Sequence, residues 1–290
     1  MGMNNIDTSG DISKIFESGI FDMAAWEAYM DKWVPGAREV CSQDMQECLQ
    51  AGYTWENDYL PVLNAAQTAG ERFDKAISSF KSVTEHLDER VQECFGKTVD
   101  ADIVLYLGLC NGAGWVIEIN GRTKVLLGIE KIIELDWCDI DSMNGLIVHE
   151  LGHVYQAQYG KLYIENESPR EHFLWQLFIE GVAMVFEQEV LGDAGYFHQD
   201  VNGWKTWCDS HAGLIKNSFA ADLDTMTREN QRYFGDWVSF EGYGDVGYYL
   251  GAQFVRFLLD KDSFDNIIGY GLEDVCAGFE SFVLCPSQAG

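Results

Sequence analysis

The chain has 290 residues, of which 47% are hydrophobic and 13% aromatic; this excludes an intrinsically disordered protein and predicts a substantial folded core. Its formal net charge is −28, which argues against binding to nucleic acid or to anionic lipid, because both require a basic surface. We therefore expect no nucleic-acid partner and no membrane partner.

The first thirty residues lack a basic start followed by an apolar run, so no signal peptide is predicted. No segment has the roughly 18 consecutive apolar residues of a membrane helix. The eight cysteines are scattered without a C-x-x-C pair. We interpret them as reduced, mostly buried thiols of a cytoplasmic protein, with one or two disulfides as the alternative.

The N-terminal region, residues 1–98, is predicted to be helical. Charged and apolar residues recur at helical spacing over 22–33, from near Pro35 to near Gly52, and over 59–95 with a break around Gly70. No cluster of residues there has the pattern of a catalytic or metal-binding site, so this region is interpreted as scaffold.

The pattern changes to strands after residue 102. Residues 103–107 are a β-rich apolar run, and 115–119 and 124–129 are two further strand candidates. Asn120-Gly121 between the latter two is a strong signal for a two-residue hairpin. A small sheet of about three strands is predicted.

Two long helices follow the sheet. Asp141 or Ser142 is a candidate N-cap for a helix that continues to Tyr159. The segment 168–171, Ser-Pro-Arg-Glu, is a capping box with proline at the first helical position, and its helix is expected to end at Gly192.

The remaining residues are predicted to be mainly helical, with one helix near 245–260. The regions expected are a helical 1–98, a core of 99–195 with the small sheet and the two long helices, and a helical 196–290.

The main candidate for a metal-binding and catalytic motif is the segment His149-Glu150-Leu151-Gly152-His153. Residues four apart lie on one face of a helix, so the two histidines can offer imidazole nitrogens to one ion. Glu150 projects roughly 100° round the helix, where it can act on water without binding the metal. Gly152 is a poor helix former and predicts the close approach of another backbone.

A catalytic zinc site commonly has three protein ligands, and Glu180 is the preferred third one. It lies among apolar neighbours, where an unpaired carboxylate would be costly and a cation would remove the cost. A solvent-facing or ion-paired Glu180 is the alternative. Three other histidines are rival ligands without comparable context: His172, His198 and His211.

These residues resemble the gluzincins, metallopeptidases whose third zinc ligand is a glutamate on the next helix. The resemblance rests on 148–153 and on 178–183, whose Glu-Gly-x-Ala pattern is similar to the aminopeptidase N-like branch. The segment 248–252, Tyr-Tyr-Leu-Gly-Ala, is similar to that branch's tyrosine segment. Residues 242–251 resemble uncharacterised bacterial families of predicted zinc-dependent proteases, and 111–128 resembles the edge and return strands of thermolysin-like enzymes.

The resemblance implies an α+β, zincin-like metalloprotease fold, mostly helical with a small sheet over the helix of the His-Glu-x-x-His motif. It implies one catalytic Zn²⁺ held by His149, His153 and Glu180. Zinc is the metal best suited to this ligand set, although related ions could bind.

Three features depart from the family pattern. The 26 residues between His153 and Glu180 exceed the usual aminopeptidase N-like interval and imply a longer loop near 159–167. Met184 stands where thermolysin-like enzymes carry an aspartate that supports the metal histidines. The strand segment 112–116 lacks the glutamate with which aminopeptidases hold a free N-terminus, so an endopeptidase or oligopeptidase is favoured.

The expected mechanism assigns Glu150 as general base to metal-activated water. A tyrosine hydroxyl suits the developing negative charge; Tyr248 is preferred and Tyr243 is second, with core packing as the alternative for each. An extended peptide could pair with the edge strand, which makes the following residues candidates for substrate binding, or simply for a bulge or turn: Gly112, Ala113, Gly114 and Trp115.

The function predicted from the sequence is zinc-dependent hydrolysis of peptide bonds in a peptide or protein substrate. One alternative is a non-catalytic zinc-binding scaffold or regulator with a protease-like fold. Another keeps the hydrolytic site but acts on a non-peptide amide or ester, because the catalytic groups are the same. The sequence leaves the oligomeric state undetermined.

Overall fold

A small sheet lies in the N-terminal half of the chain. The computed structural model describes residues 2–17, 19–165, 168–235 and 237–285. Within these residues six strands form a four-stranded sheet in the order β1-β4-β6-β5 and a two-stranded one, β2-β3. The strands are β1 Asn4–Asp7, β2 Phe16–Glu17, β3 Ile20–Phe21, β4 Asp102–Tyr106, β5 Gly114–Ile119 and β6 Arg122–Gly128.

The larger sheet has one strand more than the sequence indicates. All five residues of β4 are buried, which agrees with its continuous apolar run. Strand β1 pairs with β4 in parallel, although its sequence Asn-Asn-Ile-Asp has neither alternation nor β-branched residues beyond Ile6. Pairing with the buried β4, rather than local propensity, therefore accounts for β1. The expectation of a wholly helical 1–98 is wrong at β1 and also at the short strands β2 and β3.

The hairpin between β5 and β6 is confirmed. These strands are antiparallel, and Ile119 is paired with Arg122 across the turn. Asn120 and Gly121 have φ angles of 54° and 71°, the left-handed values that a type I′ turn requires at both central positions. This turn determines the register of β5, which is at the edge of the sheet among the described strands.

Helices make up most of the remaining described chain, so the mixed class with a small sheet is confirmed. A 3-10 turn at Ser13–Ile15 and a π-helical turn at Trp55–Tyr59 accompany the α-helices. Helices before residue 140 are α1 Ser9–Ile12, α2 Met23–Trp33, α3 Ala37–Gln50, α4 Leu60–Thr68, α5 Glu71–Thr84, α6 Leu87–Phe95 and α7 Ile129–Glu134. The later helices are α8 Ile140–Tyr159, α9 Pro169–Leu191, α10 Trp204–Asp222, α11 Val246–Leu259, α12 Phe264–Ile267 and α13 Leu272–Leu284.

Helix boundaries follow the capping signals where these are strong. Asp22 caps α2 by accepting from the backbone N–H groups of Ala24 and Ala25. The segment predicted as 59–95 breaks near Gly70, as expected, and breaks a second time at residues 85–86, between α5 and α6. This second break has no glycine or proline to signal it.

Contacts divide the chain into two units, Met1–Glu150 and Leu151–Gly290. The division falls inside α8, which continues from one unit into the other as a single helix. The three regions anticipated from the sequence therefore stay a prediction. The expected loop near 159–167 is described only as far as residue 165, since residues 166 and 167 lie outside the described part of the chain.

The second unit is organised by close helix crossings. A Cβ built on Gly181 of α9 would lie 2.2 Å from the carbonyl oxygen of Gly251 of α11, so only glycine permits this approach. The two segments behind the gluzincin resemblance, around Glu180 and around Tyr248, are thereby brought together on packed helices. No helix in the described ranges has the length and apolar character needed to cross a membrane.

The cysteines agree in part with the sequence expectation. All eight are free thiols in the structure. However, only Cys41, Cys138 and Cys208 are buried, so the expectation of mostly buried thiols is wrong.

Glu130, at the start of α7, is a buried carboxyl group in the first unit. It is 1% exposed, and its oxygens accept the backbone N–H groups of Gly108 and Cys110 at 2.9 and 3.1 Å. Burial raises the pKa of Glu130 from 4.5 to about 7, against the lowering effect of these hydrogen bonds. The folded protein therefore retains this proton at pH values where the unfolded chain has lost it.

We expect Glu130 to make the protein more stable at acidic than at alkaline pH. Below pH 4.5 both the folded and the unfolded state hold the proton. Between pH 4.5 and 7 only the folded state holds it, so stability falls as the pH rises. Above pH 7 the folded state also loses the proton and buries a charge. Glutamine has no such proton to lose, so the unfolding free energy of Glu130→Gln should rise relative to that of the wild type as the pH rises. From pH 5 to pH 8 this difference should grow by about 2.5 kcal/mol. Urea titration of both proteins measures this gain, and a difference that is independent of pH would refute the assignment.

Candidate metal centre

Helix α8 carries the two histidines and Glu150. Its N-terminus is capped by Asp139, whose carboxylate accepts from the backbone N–H of Ser142 at 2.9 Å, so the expected caps Asp141 and Ser142 are wrong. Asp139 was missed because two other capping residues follow it within three positions. The helix places His149 and His153 one turn apart on one face.

Helix α9 carries Glu180, and its ends agree with the sequence. Ser168 and Glu171 form the predicted capping box, and Gly192 ends the helix with a φ of 70°. Most of α9 after its first turn is buried, so the helix is fixed by packing along its length. Glu180 is therefore carried by a rigid element, as a metal ligand should be.

His149, His153 and Glu180 form one group. Each offers a ligand atom, and these atoms all lie within 4.8 Å of one another. His153 Nε2 is 3.4 Å from Glu180 Oε2, a long distance for a hydrogen bond. Ligand atoms bound to a tetrahedral ion with bonds of about 2.1 Å are about 3.4 Å apart. The spacing and the donor types thus fit a divalent metal ion.

The group is largely shielded from solvent. His149 is 4% exposed, and the side chains of His153 and Glu180 are 13% and 14% exposed. Low solvent exposure strengthens the attraction between a carboxylate and a cation, because little water competes for either. The remaining exposure lies on His153 and Glu180 rather than on His149.

Gly152 is the small residue that allows α8 and α9 to approach. A Cβ built there would lie 2.8 Å from the Cα of Ala183, a separation that no side chain accommodates without a shift of the backbone. The close approach predicted from Gly152 is confirmed. It brings α8 against α9 at the residue that precedes His153 and about one turn after Glu180.

Glu150 lies against the first residue of the edge strand. A Cβ built on Gly114 of β5 would lie 2.8 Å from Glu150 Cγ and from Glu150 Oε1, and 2.9 Å from Leu146. Glycine at position 114 is therefore what gives the Glu150 carboxylate its space. Glu150 is 8% exposed, so the candidate base is held in a confined position beside the sheet.

The other residues predicted to bind substrate lie at the same end of β5. The Ala113 carbonyl accepts from the Gly128 N–H at 3.0 Å, and the Gly112 carbonyl lies close to Gly128. Trp115 donates its indole N–H to the Tyr106 hydroxyl at 3.0 Å. These contacts attach the start of β5 to β4 and β6, and substrate binding by residues 112–115 stays a prediction.

The two tyrosines occupy different settings. Tyr248 lies in the first turn of α11 with its ring edge-to-face to Phe234 at 5.9 Å. Tyr243 precedes this helix and stacks on Trp207 at 4.1 Å between ring centroids. Tyr248 is one turn before Gly251, the residue that contacts Gly181 beside Glu180. The choice between the two tyrosines stays a prediction.

A second group was not identified from the sequence. His149, Glu187 and His198 also offer ligand atoms within 4.8 Å of one another. His198 was considered only as a rival ligand, and Glu187 was not considered. The available signal was the spacing of Glu187, which follows Glu180 by seven residues and so lies on the same face of α9.

The remaining rival histidines have other contacts. His172 packs edge-to-face with Phe173, and His211 stacks on Trp207 with its Nδ1 at 2.8 Å from the Trp207 carbonyl. Neither belongs to a metal-ligand group within the described residues. No family model, curated protein or solved structure matches this chain.

Proposed function

We propose that this protein is a zinc-dependent metallopeptidase of the gluzincin type, acting as an endopeptidase or oligopeptidase. The observation that carries the proposal is the grouping of His149, His153 and Glu180 with Glu150 held beside the first of these ligands. A structural zinc site is closed by four protein ligands, whereas a catalytic site has three and keeps one position open. Two histidines and one glutamate are a set that suits zinc.

Glu150 is proposed as the general base. When bound, zinc lowers the pKa of water toward about 7 and polarises the substrate carbonyl. Glu150 accepts a proton from the attacking water and delivers the same proton to the leaving amine as the peptide C–N bond breaks. Its confinement against Gly114 supports this role, because a base must be held in position to act efficiently.

A tyrosine hydroxyl is proposed to donate a hydrogen bond to the oxygen that becomes negative during the attack. Tyr248 is the first choice. It is carried by α11, which contacts α9 directly beside Glu180. Tyr243 is the second choice, since its ring is already stacked on Trp207.

Strand β5 is proposed as the binding edge for an extended peptide. One side of β5 pairs with β6, and it is the last strand of the sheet among the described residues. A peptide that adds to the other side gains main-chain hydrogen bonds and passes the end of the strand where Gly114 contacts Glu150. This arrangement favours cleavage within a chain over removal of a terminal residue.

The experiment is peptide cleavage by the full chain with and without zinc. The protein is stripped with a chelator, reloaded with zinc, and incubated with a mixture of peptides, and mass spectrometry identifies the new termini. We expect internal cleavage with zinc and none without it. Stoichiometric zinc binding without cleavage would contradict the proposal and favour the non-catalytic scaffold, and hydrolysis of amide or ester probes alone would favour a non-peptide substrate.

A further inference from the structure

Glu187 is a buried carboxylate that the proposed mechanism does not use. It lies on α9 and has no exposed surface, and its neighbours Val185, Phe186 and Val190 are buried apolar residues. Removing a carboxylate from water is costly unless hydrogen bonds or charges compensate. Packing alone therefore does not explain a carboxyl group at this position of an apolar helix, and the contacts of Glu187 indicate its role.

His198 provides one of these contacts. Its Nδ1 lies 3.0 Å from both Glu187 oxygens, and its side chain is 6% exposed. The amide nitrogen of Gln199 lies 2.9 Å from His198 Nε2. An amide N–H can only donate, so Nε2 accepts and Nδ1 carries the proton that is donated to Glu187. The carboxylate is thereby held by a buried donor that is itself held in one tautomer.

His149 connects this pair to the candidate metal centre. It belongs both to the group with His153 and Glu180 and to the group with Glu187 and His198. An imidazole has two ring nitrogens with separate functions, so one can bind a metal while the other donates to a carboxylate. Glu180 and Glu187 lie on the same face of α9, two turns apart. This spacing allows Glu180 to bind the metal and Glu187 to accept a hydrogen bond from His149.

The distances within the two groups indicate different roles, metal binding for one and hydrogen bonding for the other. In the group with Glu180, the 3.4 Å between His153 Nε2 and the carboxylate is the spacing of two ligands on one tetrahedral ion. In the group with Glu187, the 3.0 Å between His198 Nδ1 and each oxygen is an ordinary hydrogen-bond length. The first group therefore suits the ion, and the second suits a hydrogen-bonded support.

We propose that Glu187 is a positioning residue for His149, held in place by His198 and Gln199. In this arrangement one nitrogen of His149 binds the metal and the other donates its proton to Glu187. Histidine ligands are commonly oriented in this way, and the carboxylate raises their basicity. The inference rests on the metal centre of the proposed function, but not on hydrolysis. Glu187 would provide the carboxylate support for a histidine ligand that the apolar side chain of Met184 cannot provide.

The test is zinc affinity, measured by competition with a chromophoric chelator on the full chain. Loss of such a carboxylate typically weakens metal binding by about 10–100-fold, so Glu187→Gln should raise the zinc dissociation constant by this factor with one ion still bound. The visible spectrum of the cobalt-loaded variant should also shift, because the ligand field of His149 changes. Glu189→Gln is the matched control, since Glu189 is on the same helix but pairs with Arg256.

His198 variants provide a second route that does not depend on the folding of Glu187→Gln. His198→Ala should weaken zinc binding, and His198→Gln, which retains an N–H donor, should restore part of the affinity. Unchanged affinity in both Glu187→Gln and His198→Ala would overturn the inference. So would two zinc ions in the wild type and one in His198→Ala, because the second group would then be a metal site. Absence of zinc binding by the wild type would instead refute the metal centre itself.

Discussion

Glu150→Gln is expected to bind zinc as the wild type does and to lose peptide hydrolysis by about 10²–10⁴-fold, the usual contribution of a general base. Glutamine has nearly the same shape as glutamate, so the contact with Gly114 is preserved. It cannot accept a proton from water, because an amide oxygen is a very weak base. The effect should therefore appear in kcat, while zinc stoichiometry stays at one ion per chain.

The measurement combines initial rates of peptide cleavage with elemental analysis of the same samples. Glu93→Gln is a suitable control, since Glu93 is an exposed carboxylate on α6. Full activity in Glu150→Gln would remove Glu150 as the base. Loss of zinc together with activity would show instead that Glu150 takes part in metal binding, which contradicts the separation of base from ligands.

Glu180→Ala is expected to lose the metal itself. Removing one of three protein ligands should weaken zinc binding by more than the roughly 10–100-fold that outer partners contribute. Alanine is favourable in a helix, and the Glu180 side chain is partly exposed, so the fold should persist. Helical circular dichroism should therefore be nearly unchanged while zinc is lost.

Elemental analysis after dialysis against a weak chelator measures this loss. Glu189→Ala, on the same helix and paired with Arg256, should retain one zinc ion per chain. An unchanged stoichiometry in Glu180→Ala would eliminate Glu180 as a ligand. Comparison with Glu187→Gln then separates direct binding from positioning, because the ligand variant should show the larger loss of affinity.

Local signals predicted the helices and the hairpin that build the site. The capping box at Ser168, the terminating Gly192 and the turn at Asn120-Gly121 each depend on a few adjacent residues, and such interactions can be recognised in sequence. The His149–His153 spacing is likewise local, because one helix fixes both positions.

Long-range features could not be predicted from the same patterns. Strand β1 depends on pairing with β4, about a hundred residues away. The contact of Gly114 with Glu150 depends on how the sheet lies against α8. Glu187 was missed, and His198 was considered only as a rival ligand, because the grouping of the two depends on a shared neighbour, His149, rather than on a motif.

The most direct test of the account is location of the metal in crystals of the zinc-loaded protein. An anomalous difference map recorded at the zinc absorption edge should show one strong peak bounded by His149, His153 and Glu180, with Glu150 not bound to the ion. A peak between Glu187 and His198, or a fourth protein ligand that closes the coordination sphere, would contradict the assignment of a catalytic centre.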